Sequence, residues 1–480
     1  MSNNRQAIMV FIGLFLFVFG YRLGFLKEFG DSYPYYDSWY NLSILQKSDS
    51  GEINLADLVA PYNGHRIALQ RITNILLYKI TGVWDDLQLA VVSALVLAIS
   101  VGFGGSWMVK NGSSTGMVGI AVVPALSLSS FDNALWGFQL TFFYLYLFII
   151  VFVICAVSSN QYTMIGLSAM IAALFTVGSG LGVACGGLIF SVWMSWVCRF
   201  SWKDSVARML PILAVFLTGL LIFRTGCEEL GSHNTRDFMV SLSKNLIWPW
   251  CLEVAGLKAM LLALFLWMPL LWLMIFGFLK RQFLGRLHLW SVCFGILIIV
   301  QAAGLAYGRG IGGVPPQVRY LDILSWSFWA QGVGWTVLVK NYKKKWMIWL
   351  CAFWMIVTLS GFWHMQIRAW QEGGPKWKLH LTEQRNVIAG YIESKYDPQK
   401  TEIRFGECVL SDFSEPIPTK CVRWAVEKKV LPQGQLGSPA EQGRFAGIIK
   451  ILLRGAWVIA ILGFALTSLG GNGFRKTESV

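Results

Sequence analysis

About twelve runs of mostly apolar residues, each near the roughly 20 positions a helix needs to cross a bilayer, recur between residues 7 and 469. They fall near 7–26, 87–109, 117–131, 140–158, 163–178, 180–198, 209–224, 257–279, 289–307, 320–339, 346–363 and 449–469. A chain so organised is expected to fold as an all-α polytopic membrane protein, because lipid offers no partner to a backbone N–H or C=O and helices satisfy these groups internally. The runs at 117–131 and 163–178 are short, as tilted or re-entrant segments would be. A mean hydropathy of +0.54 with 14% charged residues, where a soluble domain carries roughly 25%, excludes a soluble globular fold. Residues 1–6 are polar with one Arg, and no small-residue cleavage site precedes the first acidic loop, so the first run is expected to be retained as a span.

The formal net charge of +14 reads as topology rather than as a nucleic-acid surface. With a cytoplasmic N-terminus, nearly all alternate loops are basic, at Lys110, Arg199 to Arg208, Lys280 to Arg286, Lys340 to Lys345, and Arg475 with Lys476, and the short loop at Ser159 alone lacks a charge. That parity places 27–86, 132–139, 225–256, 308–319 and 364–448 on the external side. The expected organisation is a transmembrane body over 1–363 with a long first external loop at 27–86, a small external α/β domain over 364–448, and a last span with a cytoplasmic tail over 449–480. The small domain shows helix-like stretches at 384–396 and before Leu431, with a strand-like stretch at 403–410. From Arg66 to Ile80, Leu69, Ile72, Leu76 and Ile80 share one face and Arg66, Gln70 and Asn74 another, which predicts an interfacial helix or, alternatively, part of a span.

The first external loop concentrates polar chemistry between two apolar regions. Asp37, flanked by Tyr35, Tyr36, Trp39 and Tyr40, is a candidate general base whose partial desolvation would raise its pKa, and it is equally a candidate helix N-cap. Asp31, in Asp-Ser-Tyr-Pro, reads as a turn residue and as the second candidate acid. Asn63-Gly64-His65-Arg66 opens the interfacial helix, where a guanidinium and free N–H groups suit an anion; a plain turn with a snorkelling Arg is the alternative. Far along the chain, Arg309 and Arg319 flank a segment rich in glycine and end at Tyr320. Two arginines on the external side run against the charge bias of membrane loops and suit phosphate, while a flexible loop with incidental arginines is the plain reading. Asn133, Trp136 and Gln139 lie on an external turn, and Gly178 to Gly182 joins two spans on the same face.

Four cysteines, Cys227, Cys251, Cys408 and Cys421, fall on the external side and allow three pairings. Loop membership favours Cys227 with Cys251 and Cys408 with Cys421. No His or second Cys stands at the short spacing of a zinc site, so no metal site is expected among them.

These residues resemble those of the bacterial integral-membrane glycosyltransferases of the GT-C fold class, in particular the polyprenyl-phosphate-sugar-dependent enzymes that decorate O-antigen, including the phage-borne serotype-converting glucosyltransferases. The likeness rests on a YDSW-type acid after the first span, NGHRI at the end of the first loop, LWGFQ before the fourth span and GRG…VRY before the tenth. It implies a GT-C-like fold in the inner membrane with a periplasmic active site. It also implies a polyprenyl-phosphate sugar, such as glucose, as donor and a lipopolysaccharide O-antigen hydroxyl as acceptor, with no other cofactor. Asp37 would be the base, and Arg66, Arg309 and Arg319 would hold the donor phosphate. Asn63, His65, Gln139 and Tyr320 would contact substrate. Many such enzymes carry adjacent paired acids; here Asp37 precedes Ser38, which keeps Asp31 as a substitute and speaks against a divalent metal. An O-antigen polymerase or ligase is the rival within enzymes. A lipid-linked sugar flippase is the rival from another class, opposed by spans nearly free of charge.

Overall fold

Helices dominate because the apolar runs leave the backbone no other way to pair its polar groups in lipid. The computed structural model describes residues 3–472 except 63–64, 159–163, 224–231, 233, 253, 255, 394–403, 406–407, 410–418, 429 and 431–443. The chain is an all-α polytopic membrane protein: among the described residues eight helices are long and apolar enough to cross a bilayer, and nine if Gly447–Arg454 and Ala456–Leu469, bent by 57°, count as one span.

Four of the about twelve runs are not single long helices, two of them the runs that the sequence already marks as short. The 117–131 run is a 12-residue helix, Thr115–Leu126, and the 163–178 run an 11-residue one, Met164–Leu174. The 320–339 run breaks at Trp326 between Leu321–Ser325 and Ser327–Tyr342, and the 449–469 run bends at Gly455. The first of these shows how a helix can stop within the bundle. Arg22, 3% exposed on the opening helix Asn3–Phe29, donates from Nε to the Ala125 carbonyl at 3.0 Å and from Nη2 to that of Ser127 at 2.9 Å. Gln366 Nε2 donates to the Leu126 carbonyl at 2.6 Å. Three consecutive carbonyls at the helix end are thereby satisfied, two of them by a cation where the helix dipole is negative. Spans nearly free of charge were expected; Arg22 is one of the exceptions, and it serves the end of this short helix.

The opening and closing helices pack at close range. A Cβ at Gly20 would lie 2.4 Å from the backbone nitrogen of Ala460, so only glycine permits that approach. Helix Ala68–Thr81 turns Gln70, Arg71 and Asn74 inward and leaves Ile72, Leu76 and Ile80 exposed, as suits a helix lying against lipid. Arg71 donates from Nη1 to the carbonyls of Asp57, Leu58 and Ala60 at 3.0, 3.1 and 2.7 Å, tying this helix to the short helix Leu55–Val59.

Beyond residue 364 the chain does not begin a separate unit at once. Helix Lys345–Arg368 runs through a π turn, Ala369–Gly373, into Gly374–Glu393. The π turn lets one helix leave the bundle and lean over the first loop, where Trp377 meets Tyr35 with ring centroids 4.3 Å apart. Past it, Arg404–Phe405 pairs antiparallel with Cys408–Val409, helix Thr419–Glu427 follows, and the Val430 carbonyl accepts from the Trp84 N–H at 2.7 Å. Much of the rest of 394–443 lies outside the described residues.

Candidate functional site

One end of the bundle gathers the segment 30–67, the start of helix Asp86–Lys110, the stretch 127–139 and the end of helix Arg286–Arg309 with the loop after it. Between them lies a cavity of about 40 Å³ lined by Asp37, Tyr62, His65, Gln139, Arg309, Arg319 and Tyr320 among others. Its lining comes from four separate parts of the chain, Asp37 to Ile67, Phe138 to Phe142, Val177, and Arg309 to Tyr320, while the start of helix Asp86–Lys110 stands outside it. A larger apolar groove of about 500 Å³ runs along Leu264 to Lys280, but Lys280 is its one ionisable lining residue. The polar residues singled out in the sequence line the small cavity.

Asp37 sits in a single 3₁₀ turn, Tyr36–Tyr40, rather than at the start of an α-helix. Tyr36 before it has φ 36, a left-handed conformation that a bulky residue adopts only when its surroundings enforce it. Those surroundings are aromatic: Tyr35 meets Trp136 at 5.2 Å, and Tyr62 meets Tyr40 at 4.8 Å and Phe138 at 5.4 Å between ring centroids. Burial pushes the Asp37 carboxyl above its ordinary value, opposed by a hydrogen bond from the Tyr62 hydroxyl and by the charge of Arg319.

His65 closes a tight turn with Tyr62, each N–H donating to the other's carbonyl, at 2.7 and 2.9 Å. The Gly178 N–H donates to His65 Nδ1 at 3.0 Å, so the imidazole proton is on Nε2. A Cβ at residue 178 would stand 3.1 Å from that nitrogen, which accounts for glycine there. Burial lowers the His65 pKa to about 4, helped by Arg309 and then Arg319, and the ring is neutral at physiological pH. Arg319 is half-buried; its Nε and Nη2 donate to Gln317 Oε1 at 3.0 and 2.8 Å, and its guanidinium lies 5.6 Å from the Tyr320 ring centroid.

Arg66, expected beside the anion, is not among the lining residues. Its Nη1 and Nη2 donate to the carbonyls of Val59 and Ile222 at 3.1 and 2.9 Å, because the turn at His65 aims the next side chain at the loop backbone. Asp31 is likewise not among the lining residues: it pairs with Arg385 of the leaning helix and accepts from the Tyr33 N–H at 2.9 Å. In the glycine segment, the Gly312 N–H donates to Asp237 Oδ2 at 3.1 Å and fastens the loop to helix Thr235–Leu246. Asn63 and Cys227 lie outside the described residues, as do the side chains of Cys408 and Cys421; Cys251 is buried.

Asp132 escaped the sequence reading. Burial raises its carboxyl to about 6, with Arg319 opposing, so Arg319 feels two carboxylates, Asp37 and Asp132. Its place in FDNALWGFQ, after a serine and at the head of a short helix, looked like an ordinary turn. The aromatic walls at Tyr62, Phe138 and Phe142 also carried no signal of their own. Scans against family models, curated proteins and solved structures return no match to this chain.

Proposed function

We propose that this membrane protein is a GT-C-type glycosyltransferase that moves a sugar, glucose by its resemblance, from a polyprenyl-phosphate donor to an O-antigen hydroxyl, at the periplasmic face of the bacterial inner membrane. The observation that carries the reading is that Asp37, His65, Arg309 and Arg319 line one cavity. A carboxylate of raised basicity beside two guanidinium groups is what an inverting transfer from a phosphate donor requires.

In this reading Asp37 removes the proton from the acceptor hydroxyl as its oxygen attacks the anomeric carbon. The bond to the donor phosphate breaks, and polyprenyl phosphate leaves with its electron pair. Arg309 and Arg319 stabilise the phosphate charge, Arg319 being the better placed to couple to the base because it already acts on Asp37. Neutral His65 offers Nε2–H to a sugar or phosphate oxygen, and Gln139 and Tyr320 supply further polar contacts. A cavity of about 40 Å³ has room for water and not for a hexose, so binding must part its walls. The leaning helix and its α/β neighbourhood would form the periplasmic cover of the first loop.

The purified protein, given polyprenyl-phosphate glucose and O-antigen, should release polyprenyl phosphate and add one hexose per acceptor site, read by mass and linkage analysis. Consumption of a diphosphate-linked oligosaccharide instead would make it a polymerase or ligase. Movement of lipid-linked sugar across a vesicle membrane without turnover would make it a transporter.

A further inference from the structure

Arg22 and Asp322 lie behind the cavity, 3% and 2% exposed, and neither lines it. Charges inside a membrane bundle are costly, so each calls for a task. Arg22 interacts electrostatically with Asp322 and Tyr146, and its Nη1 has no hydrogen-bond partner among the described residues. Asp322 stands three residues after Arg319. Its N–H donates to Ser130 Oγ at 2.8 Å, and that hydroxyl donates to the Val318 carbonyl at 2.5 Å. Its Oδ2 accepts from Asn133 Nδ2 at 3.3 Å, and the same amide group donates to the Arg319 carbonyl at 2.7 Å. The turn bearing Arg319 is thus fastened at three residues to the segment whose beginning Arg22 holds through Ala125 and Ser127.

We infer that Asp322, its charge balanced by Arg22, is a positioning residue that fixes where Arg319 stands in the site. The inference rests on the reading of Arg319 as a phosphate-binding group. A carboxylate is an acceptor only, so it dictates which way the Asn133 amide faces and keeps the NH₂ toward the Arg319 carbonyl. An amide at 322 would offer a donor as readily as an acceptor and would remove that constraint. Arg22 supplies the opposite charge that lets the carboxylate stay ionised in the bundle.

The test uses the full chain in lipid nanodiscs, with Asp322→Asn, Asn133→Ala and the double variant. Each single change should raise the donor KM about tenfold while kcat moves less than about threefold, as expected when a contact group is misplaced. Amides of 318–320 should exchange faster in both. The double variant should match the singles, because both act through one bond to Arg319. Asn133→Ala leaves the charge pair in place and serves if Asp322→Asn does not fold. Unchanged KM and exchange in the folded variants, or additive effects in the double, would overturn the inference. If the unaltered protein releases no polyprenyl phosphate from any donor, the glycosyltransferase reading fails and exchange at 318–320 alone decides.

Discussion

Ser38, the residue after Asp37, donates its hydroxyl to Asp86 Oδ1 at 2.9 Å, while the other oxygen of that buried carboxylate accepts from the Gly137 N–H at 3.0 Å. Trp136 Nε1 completes the junction by donating to Ser38 Oγ at 2.9 Å. The turn that carries Asp37 is therefore held to the segment leading to Gln139 by a side chain that never reaches the cavity. Asp86→Ala strips partners from Ser38 and Gly137 in a buried place and should cost about 1–3 kcal/mol of stability. Turnover should drop by about tenfold through the displaced Asp37 turn, read as kcat beside the thermal midpoint.

Asp37→Asn keeps the size of the side chain and removes its basicity, so turnover should fall by roughly 10²-fold or more with donor binding retained. Because burial raises the Asp37 pKa, the carboxylate is lost at a higher pH than an exposed Asp would lose it. The acid limb of kcat/KM should lie above the ordinary carboxylate range and vanish in the Asn variant. A limb that survives in the variant belongs to another group.

Asp31→Asn is the matching control. It breaks a partly exposed pair with Arg385, worth about 1 kcal/mol or less, and should leave turnover near normal. Loss of activity in this variant with Asp37→Asn active would transfer the role of base to Asp31.

Arg319 and Arg66 should separate cleanly. Arg319→Ala removes a cation of the cavity and should raise the donor KM about tenfold or more, with little loss of stability. Arg66→Ala deprives two backbone carbonyls of their donor and should cost about 1–3 kcal/mol, with a smaller effect on KM. Thermal unfolding and initial rates on the same preparations decide.

His65 makes stability depend on pH. Its folded pKa of about 4 lies below the ordinary 6.5, so between these values the unfolded chain binds more protons than the folded one. Stability is lost as the pH falls through that window, at up to ~1.4 kcal/mol per pH unit, and the loss is complete below the folded pKa. His65→Gln should flatten the thermal midpoint against pH over the window.

Apolar run length and loop charge made the membrane class legible, since lipid imposes both directly. Asp37, His65, Arg309 and Arg319 could be picked out as polar groups beside spans, each with a plainer reading next to it, and Gln139 and Tyr320 through the resemblance; the fold brings all six to one cavity. Direction was not legible: Arg66 follows His65 in sequence yet points elsewhere, because the Tyr62–His65 turn sets the aim of each side chain. Nor were the broken runs. Thr115–Leu126 stops where Arg22 and Gln366 meet its carbonyls, partners about 100 and 240 positions distant. Asp86 and Asp322 stood in no motif of the sequence, and the packed structure gives them Ser38, Gly137, Ser130 and Asn133 as partners.

The stretch from Ser127 to Gln139 braces both sides of the cavity: Ser130 and Asn133 hold the turn of Arg319, and Trp136 and Gly137 hold the turn of Asp37. The gap between acid and cation is thus ruled by one continuous strip of chain, while the walls at Tyr62, Phe142 and Tyr320 come from elsewhere. For a protein engineer this divides the site into a gauge and a mould. Reshaping the mould at Phe142 should keep the spacing of Asp37 and Arg319, whereas a change in the strip, or at Tyr62 and Tyr320, which touch those two groups, should reset it.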